Sequence, residues 1–179
     1  MNLTWKKLSE KKIRINRFRT IIKKRFLLPN GNIGNFYTRG GHKIVCALVL
    51  TKNKKVVLAK QFRTGVERVM WELPGGAVNP HEAPVRAIAR EVLEETGYRG
   101  KIKLIGVSSH DAWSSSWRYH YLITNAVRVS EPENDAHEVI EPVEVSPAQS
   151  IRLIQKGKLT DSETAYRASD FLGWLGHSL

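Results

Sequence analysis

Runs of apolar residues, alternating stretches and helically spaced positions follow one another along the chain, and their order predicts a strand-rich fold closed by helices. Over residues 16–28 the side chains alternate. Phe18, Thr20, Ile22, Phe26 and Leu28 share one side, with Lys24 the exception, and Arg17, Arg19, Ile21, Lys23 and Arg25 share the other. A period of two is that of a β-strand, here with one buried and one basic face. Pro29-Asn30-Gly31-Asn32 is a turn signal, and residues 33–38 return as a second strand. Gly40-Gly41 breaks the chain. Residues 44–51 form an apolar run that reads as a buried strand, joined through Lys52-Asn53-Lys54 to another at 55–61. A short strand at 69–73 leads into a Pro74-Gly75-Gly76 turn, and further strands are expected at 101–109, 117–127 and 139–145.

Three segments read as helices. Val85, Ile88, Ala89, Val92 and Thr96 fall on one side of a 3.6-residue helix, and Gly97 is a natural stop in the left-handed conformation. Ser146-Pro147 has the form of an N-cap followed by proline, opening a helix to about Gln155. A last helix is expected from Asp161 or Ser162 to around Trp174. The expected organisation is a strand and hairpin extension over residues 1–40, attached to one domain over 41–179.

Composition narrows the possibilities. A chain of 179 residues, 41% hydrophobic, can bury a real core. No apolar run reaches the roughly 18–20 residues that span a bilayer, and no signal-peptide core follows the first residues, so a cytoplasmic protein without membrane partners is expected. Cys46, the one cysteine, sits in the apolar run and reads as a structural thiol. The formal net charge of +12 favours anionic ligands, either a phosphorylated small molecule or nucleic acid such as RNA. Much of the excess lies in residues 1–28, where Lys6, Lys7, Lys11, Lys12, Arg14, Arg17, Arg19, Lys23, Lys24 and Arg25 face one acid, Glu10. That stripe reads as a solvated face, a substrate or nucleic-acid surface, or a subunit contact.

The candidate chemistry is on the first helix. Glu91, Glu94 and Glu95 fall at i, i+3 and i+4 in its last turns. Like charges at that spacing repel by a few tenths of a kcal/mol, and the helix dipole there prefers cations. A bound hard cation such as Mg²⁺ or Mn²⁺ answers both, since carboxylate oxygens are its usual ligands. A solvated acidic face partnered by Arg86 and Arg90 is the plainer alternative. Arg90 can pair with Glu94 at i,i+4 and orient it. Glu82, near the helix start, is either structural or catalytic. The Gly75-Gly76 turn lets backbone approach a metal or phosphate closely, because it carries no side chain.

Gly76, five residues, Glu82, seven residues, and then Arg90-Glu91-Val92-Leu93-Glu94-Glu95-Thr96-Gly97-Tyr98 resembles the Nudix box. That box is the signature of metal-dependent hydrolases acting on nucleoside diphosphates linked to another group. Only Tyr98 departs, standing where the family usually has an aliphatic residue. The resemblance implies an α+β fold, an α/β/α sandwich around a mixed β-sheet. It also implies Glu91 and Glu95 as the first metal ligands, then Glu94 and the Gly75 carbonyl, with Arg90 supporting. Trp5, the Pro29-Asn30-Gly31 turn, Gln61-Phe62-Arg63, Glu72-Leu73-Pro74-Gly75-Gly76 and Thr160-Asp161-Ser162-Glu163-Thr164 resemble the ADP-ribose pyrophosphatase branch. By that resemblance Arg63 contacts substrate phosphate, and the N-terminal strands exchange between subunits of a homodimer and help bind the adenosine. Trp113 and Trp117 either stack on a base or sugar or simply pack.

Two departures bear on the reaction. The branch usually has a proline near the position of Trp113 or Ser114. Its catalytic glutamate sits in a late acidic loop matching residues 133–138, where Glu138 is matched but Ala136 stands two before it. Asp135, His137, Glu133 or Glu94 are the alternatives for the base. The expected activity is cleavage of the pyrophosphate of ADP-ribose or another nucleotide sugar. The alternatives are hydrolysis of capped RNA or dinucleoside polyphosphates, and a non-catalytic nucleotide- or RNA-binding module. The complete set of repelling acids speaks against the last.

Overall fold

The computed structural model describes residues 3–16, 19–133 and 139–176, in two compact units. The first comprises Met1–Lys43 with Ser108–Arg118, and the second Ile44–Val107 with Tyr119–Leu179.

The first unit is built on an antiparallel sheet of β1 (Lys6–Arg14), β2 (Thr20–Leu27) and β3 (Ile33–Arg39), in that order. The strand expected from residue 16 therefore begins at Thr20, and another strand precedes it. Arg17 and Phe18 of the expected alternation lie outside the described residues. The chain reverses between β1 and β2, where the Ile15 N–H donates to the Arg19 carbonyl at 2.8 Å and the Arg19 N–H to Asn16 Oδ1 at 2.8 Å. Every residue of β1 is exposed, so no buried period marks it in the sequence. On β2 only Ile22 is fully buried; the expected apolar side continues as Phe26, whose ring centroid is 6.0 Å from those of Phe36 and Trp5. The predicted turn forms at Gly31, at φ +84°. Residues 113–115 run beside the end of β3, where the Arg39 N–H donates to the Trp113 carbonyl at 2.8 Å.

The second unit holds all but the end residues of β4 (Lys43–Thr51), β8 (Tyr98–Ser109) and β9 (Trp117–Arg128), together with β5 (Val56–Arg63), β6 (Arg68–Glu72), β7 (Gly75–Ala77), α1 (Pro84–Thr96), β10 (Ile140–Val145), α2 (Pro147–Gln155) and α3 (Ser162–Phe171). Its seven-stranded sheet runs β10-β5-β4-β9-β8, with β6 on β5 and β7 on β4. β4 is antiparallel to β5 and β7. Hydrogen bonds from Trp117 N–H to the His42 carbonyl and from Lys52 N–H to the Ala126 carbonyl tie the starts and ends of β4 and β9 together, so those two run parallel. The sheet is mixed.

Successive residues of β4 point to opposite faces. Cys46, Leu48 and Leu50 pack with Leu58, Leu122, Leu159, Ala165 and Ala168, under α3 and its neighbours. Val45, Ala47 and Val49 pack with Ala87, Ile88 and Val92 of α1 and with Ile123. Both faces are covered, which is why residues 44–50 read as an unbroken apolar run. The result is an α+β fold with helices on either side of the sheet. α2 starts as expected, with Ser146 and Gln149 forming a reciprocal capping box behind Pro147.

Two local expectations change. In α1 the buried positions are Ala87, Ile88, Val92 and Thr96, while Val85 is 48% exposed and Ala89 is also exposed. The stripe is rotated toward Ala87, which packs with Val45, Ala47 and Val49 of β4. Gly75-Gly76 is not a turn but the strand β7, with Gly75 opposite Cys46 and Gly76 opposite Val45.

Candidate active site

Helix α1 starts with Pro84 behind Ala83, which gives no side-chain cap. It ends at Gly97, whose φ of 74° lets its N–H return to the Leu93 carbonyl at 2.8 Å. Glu91 and Glu95 continue the i+4 row of buried Ala87, beside the buried row of Ile88, Val92 and Thr96. Glu91 is consequently only 15% exposed at its side chain and Glu82 only 16%, against 39% for Glu94. Carboxylates so far out of water need partners.

Arg90 supplies them. Its Nε and Nη2 reach the two oxygens of Glu82 at 3.1 Å each, a paired arrangement that fixes the guanidinium plane. Nη1 lies 2.9 Å from Glu94 Oε2 and 2.9 Å from Glu91 Oε1, and Nη2 donates to the Ala77 carbonyl at 3.3 Å. The predicted i,i+4 pairing with Glu94 is present, and Glu82 and Glu91 join it. Glu82 also accepts the Asn79 N–H at 3.0 Å. The Arg90 hydrogen bond, with help from Asn79, holds the Glu82 carboxyl below its ordinary value despite burial. The same hydrogen bond to Glu82 leads the effects that raise Arg90 above its own. Glu82 thus ties the loop before α1 to the acidic end of the helix.

Both glycines are required by contact. A Cβ on Gly75 would strike the Val45 carbonyl across the β4–β7 pairing, and one on Gly76 would lie 2.5 Å from the Glu91 carboxylate. The Gly75 N–H donates to Glu95 Oε2 at 3.0 Å. Among the described residues no three acidic, histidine or cysteine side chains close on one point. Glu94 is turned to Arg90 and Glu95 to the Gly75 amide. The donors nonetheless suit a hard divalent cation in kind: carboxylates on adjoining helix turns beside exposed main chain of β7.

A profile described as NUDIX domain matches residues 41–167, more than half of the chain. The chain belongs to the Nudix hydrolase family. It is 29% identical over 142 residues to an ADP-ribose pyrophosphatase of Bacillus subtilis, covering 78% of this chain and 77% of that one. It is 33% identical over 134 residues to the ADP-ribose pyrophosphatase of Saccharomyces cerevisiae, covering 68% and 57%. A CMP-5'-(N-acetyl-N-hydroxy-3-aminopropyl)phosphonate hydrolase of Streptomyces rubellomurinus is 27% identical over 175 residues, 96% of this chain and 84% of that one. A solved ADP compounds hydrolase superposes with a TM-score of 0.81 over 98% of both chains at 16% identity, which bears on the fold. The chain therefore lies near the ADP-ribose pyrophosphatase branch of the Nudix hydrolases. Hydrolases of this family generally use divalent metal ions.

Elsewhere in this Nudix chain, Arg63 ends β5 with its Nε 2.8 and 3.0 Å from the two Glu72 oxygens and an Nη also on Glu72. Glu72 is 5% exposed and accepts a further hydrogen bond from Gln61 Nε2 at 3.0 Å. The sequence motifs contained Gln61 and Glu72 but gave no sign that Glu72, held by Gln61, grips Arg63, because the pairing of β5 with β6 creates the contact. Trp113 is 62% exposed and Trp117 56%, so neither packs into a core. Trp113 belongs to the first unit, whereas the acids, Arg63, Gly75 and Gly76 belong to the second. Glu133 is exposed, and its N–H donates to the Glu94 carbonyl at 2.7 Å. Asp135, Ala136, His137 and Glu138 lie outside the described residues. Tyr98, the departure from the family pattern, packs beside the α1 core and donates its hydroxyl to Glu144 at 2.7 Å.

One fully buried polar pair escaped the sequence reading. His120 of β9 is 0% exposed, with Nδ1 2.7 Å from Thr164 Oγ1 of α3. Its only sequence signal is a histidine inside the alternation of 117–127. It fastens α3 to the sheet.

Proposed function

We propose that this Nudix hydrolase cleaves the pyrophosphate linkage of ADP-ribose or a similar nucleotide sugar. Water adds across the P–O–P bond, and a nucleoside monophosphate and a phosphorylated sugar leave. The observation that carries the reading is the set of partly buried carboxylates held by Arg90 against the side-chain-free main chain of Gly75 and Gly76. Glu91 and Glu95 are the first candidates to hold Mg²⁺ or Mn²⁺, followed by Glu94 and the Gly75 carbonyl. When bound, such an ion supplies charge neutralisation at the phosphates and a more acidic water.

The chain's own groups divide the rest of the work. Arg90 fixes the directions of Glu91 and Glu94. Gly76 leaves room for the Glu91 carboxylate. Arg63, braced by buried Glu72, presents a guanidinium to a substrate phosphate. Glu94 or Glu133 takes the proton from the attacking water. The likeness to two ADP-ribose pyrophosphatases supports this substrate class.

The test is a panel of nucleoside-diphosphate sugars, dinucleoside polyphosphates and cap dinucleotides, with Mg²⁺ or Mn²⁺ and product identification. AMP and ribose 5-phosphate from ADP-ribose, lost in Glu95→Gln, is the expected result. An intact panel overturns the reading. Preference for cap analogues would transfer it to RNA ends.

A homodimer is part of the same proposal. β1 is an edge strand exposed at every residue, with Leu8 and Ile13 among its exposed apolar side chains. Its open main-chain edge can pair with another chain, with Leu8 and Ile13 as apolar contacts among five cations. Light scattering after gel filtration should give twice the 20.3 kDa chain mass; a monomer mass at micromolar concentration rejects it.

A further inference from the structure

The basic stripe of the first unit is not used by the hydrolytic chemistry. Strand register organises it. Ser9, Arg25 and Asn35 stand side by side across the three strands, and Lys11, Lys23 and Tyr37 form the next row on the same face. The two rows are roughly 6–7 Å apart along the strands. Lys11, Lys23 and Arg25 line an open groove of about 600 Å³ with Ile33 and Asn35. Tyr37 is 57% exposed, with Lys23 Nζ 5.8 Å from its ring centre. The acid at the groove edge, Glu10, is engaged by Lys7 at 2.8 Å. It is the only Asp or Glu in the first 43 residues. Trp113 and Trp117, both more than half exposed, belong to the same unit.

We infer that this face binds single-stranded polynucleotide. Exposed lysines on an open sheet hold one phosphate weakly, because solvent screens each pair. Affinity accumulates only when several phosphates are linked in one chain, whose binding releases counterions. The exposed Tyr37 ring within the charged rows offers a stacking surface, which a single strand can use and a duplex, with its base faces covered, cannot. Charge and stacking surface thus select a flexible polyanion with planar bases over a small phosphate or a duplex. The inference does not depend on the hydrolase reading.

The experiment is fluorescence anisotropy with a labelled 15-nucleotide uridine oligomer, the matching DNA oligomer and an RNA duplex. With three phosphates neutralised by Lys11, Lys23 and Arg25, the log–log salt slope is about −2, so affinity falls ~20-fold between 50 and 200 mM salt. Combined Lys11→Ala, Lys23→Ala and Arg25→Ala should flatten that slope and lose at least ~10-fold in affinity at 50 mM. Tyr37→Ala should weaken binding with the slope unchanged, and Tyr37→Phe should restore it. Circular dichroism melts confirm that each variant is folded. Comparable RNA and DNA affinity fits the shared chemistry, and a preference identifies the source. No binding at 50 mM, equal affinity for the duplex, or unaltered binding by the folded triple variant overturns the inference. A triple variant that alters only subunit association assigns the face to a second copy instead, and also overturns it.

Discussion

Replacing Arg90 by Met removes the one group that Glu82, Glu91 and Glu94 share while keeping most of its aliphatic volume. Breaking a fully buried ion pair from one side costs about 3–5 kcal/mol, whereas exposed pairs are worth about 0–1 kcal/mol. Glu82, 16% exposed and gripped through both oxygens, falls between these limits at ~1.5–2 kcal/mol. Glu91 and Glu94, each meeting a single guanidinium nitrogen, add about 0.5 kcal/mol apiece. The expected loss is ~2–3 kcal/mol, or about 5–10 °C in Tm for a chain of this length. Thermal melts at pH 7 in chelator measure it, and a double-mutant cycle with Glu82→Gln should return a coupling of about 1–2 kcal/mol. The pH dependence fixes the sign. Glu82 is held below its ordinary value of 4.5 in the folded protein. Its contribution is therefore complete above pH 4.5 and disappears as pH falls through the lower folded value. The gap between wild type and variant should close on acidification. A Tm change under ~2 °C, or a gap that ignores pH, refutes the role given to Arg90.

Gly76→Ala pushes a methyl group to 2.5 Å from the Glu91 carboxylate. Steady-state kinetics should show kcat down at least ~100-fold, while calorimetry shows only about 1–3 kcal/mol of destabilisation. Glu72→Gln leaves Arg63 charged but loosens its brace, so KM for the nucleotide substrate should rise about tenfold with a smaller change in kcat. Tyr98→Phe removes the hydrogen bond to Glu144 and should cost about 1 kcal/mol by urea denaturation at pH 7. Burial first, then Glu144, pushes the Tyr98 hydroxyl up to about 12, so that difference should persist to pH 10 and fade as pH passes the folded value. Chelation should abolish turnover yet leave the melting curve within a few degrees, because Arg90 already compensates the acids; unfolding in EDTA would contradict this.

The sequence carried the central features because they depend on local spacing. Residues 44–50 are apolar without interruption since β4 is covered on both faces, and Gly97 marks the end of α1 because only a left-handed residue closes it. What escaped it comes from contacts between distant segments. β1 has no buried side, so its strand character rests on main-chain pairing with β2 and leaves no apolar period. Val85 and Ala89 fit a helical stripe as well as Ala87 does, and only the sheet beneath the helix chooses among them. β7 looks like a turn because two glycines permit one, but the β4 main chain recruits them as a strand. The Arg90–Glu82 pair spans eight residues and crosses the start of α1 at Pro84, so helical spacing cannot predict it.

That pair changes how the repelling acids are understood. Taken by themselves, Glu91, Glu94 and Glu95 at the negative end of a helix demand positive charge, and a bound cation is the simplest source. In the folded chain Arg90 already supplies part of it, held in place by a fourth carboxylate outside the helix. Glu95 instead takes a main-chain N–H, which is neutral and exchangeable. Folding and cation binding therefore place separate demands on the same acids. Arg90, braced by Glu82, holds Glu91 and Glu94 in place, and the Gly75 N–H donates to Glu95. An ion arriving with a pyrophosphate would have to displace the Gly75 hydrogen bond at Glu95. On this division, substitutions at Glu82 act chiefly on stability and on the orientation of Arg90. Substitutions at Glu95 should act on cation affinity, measured by calorimetric titration with Mg²⁺.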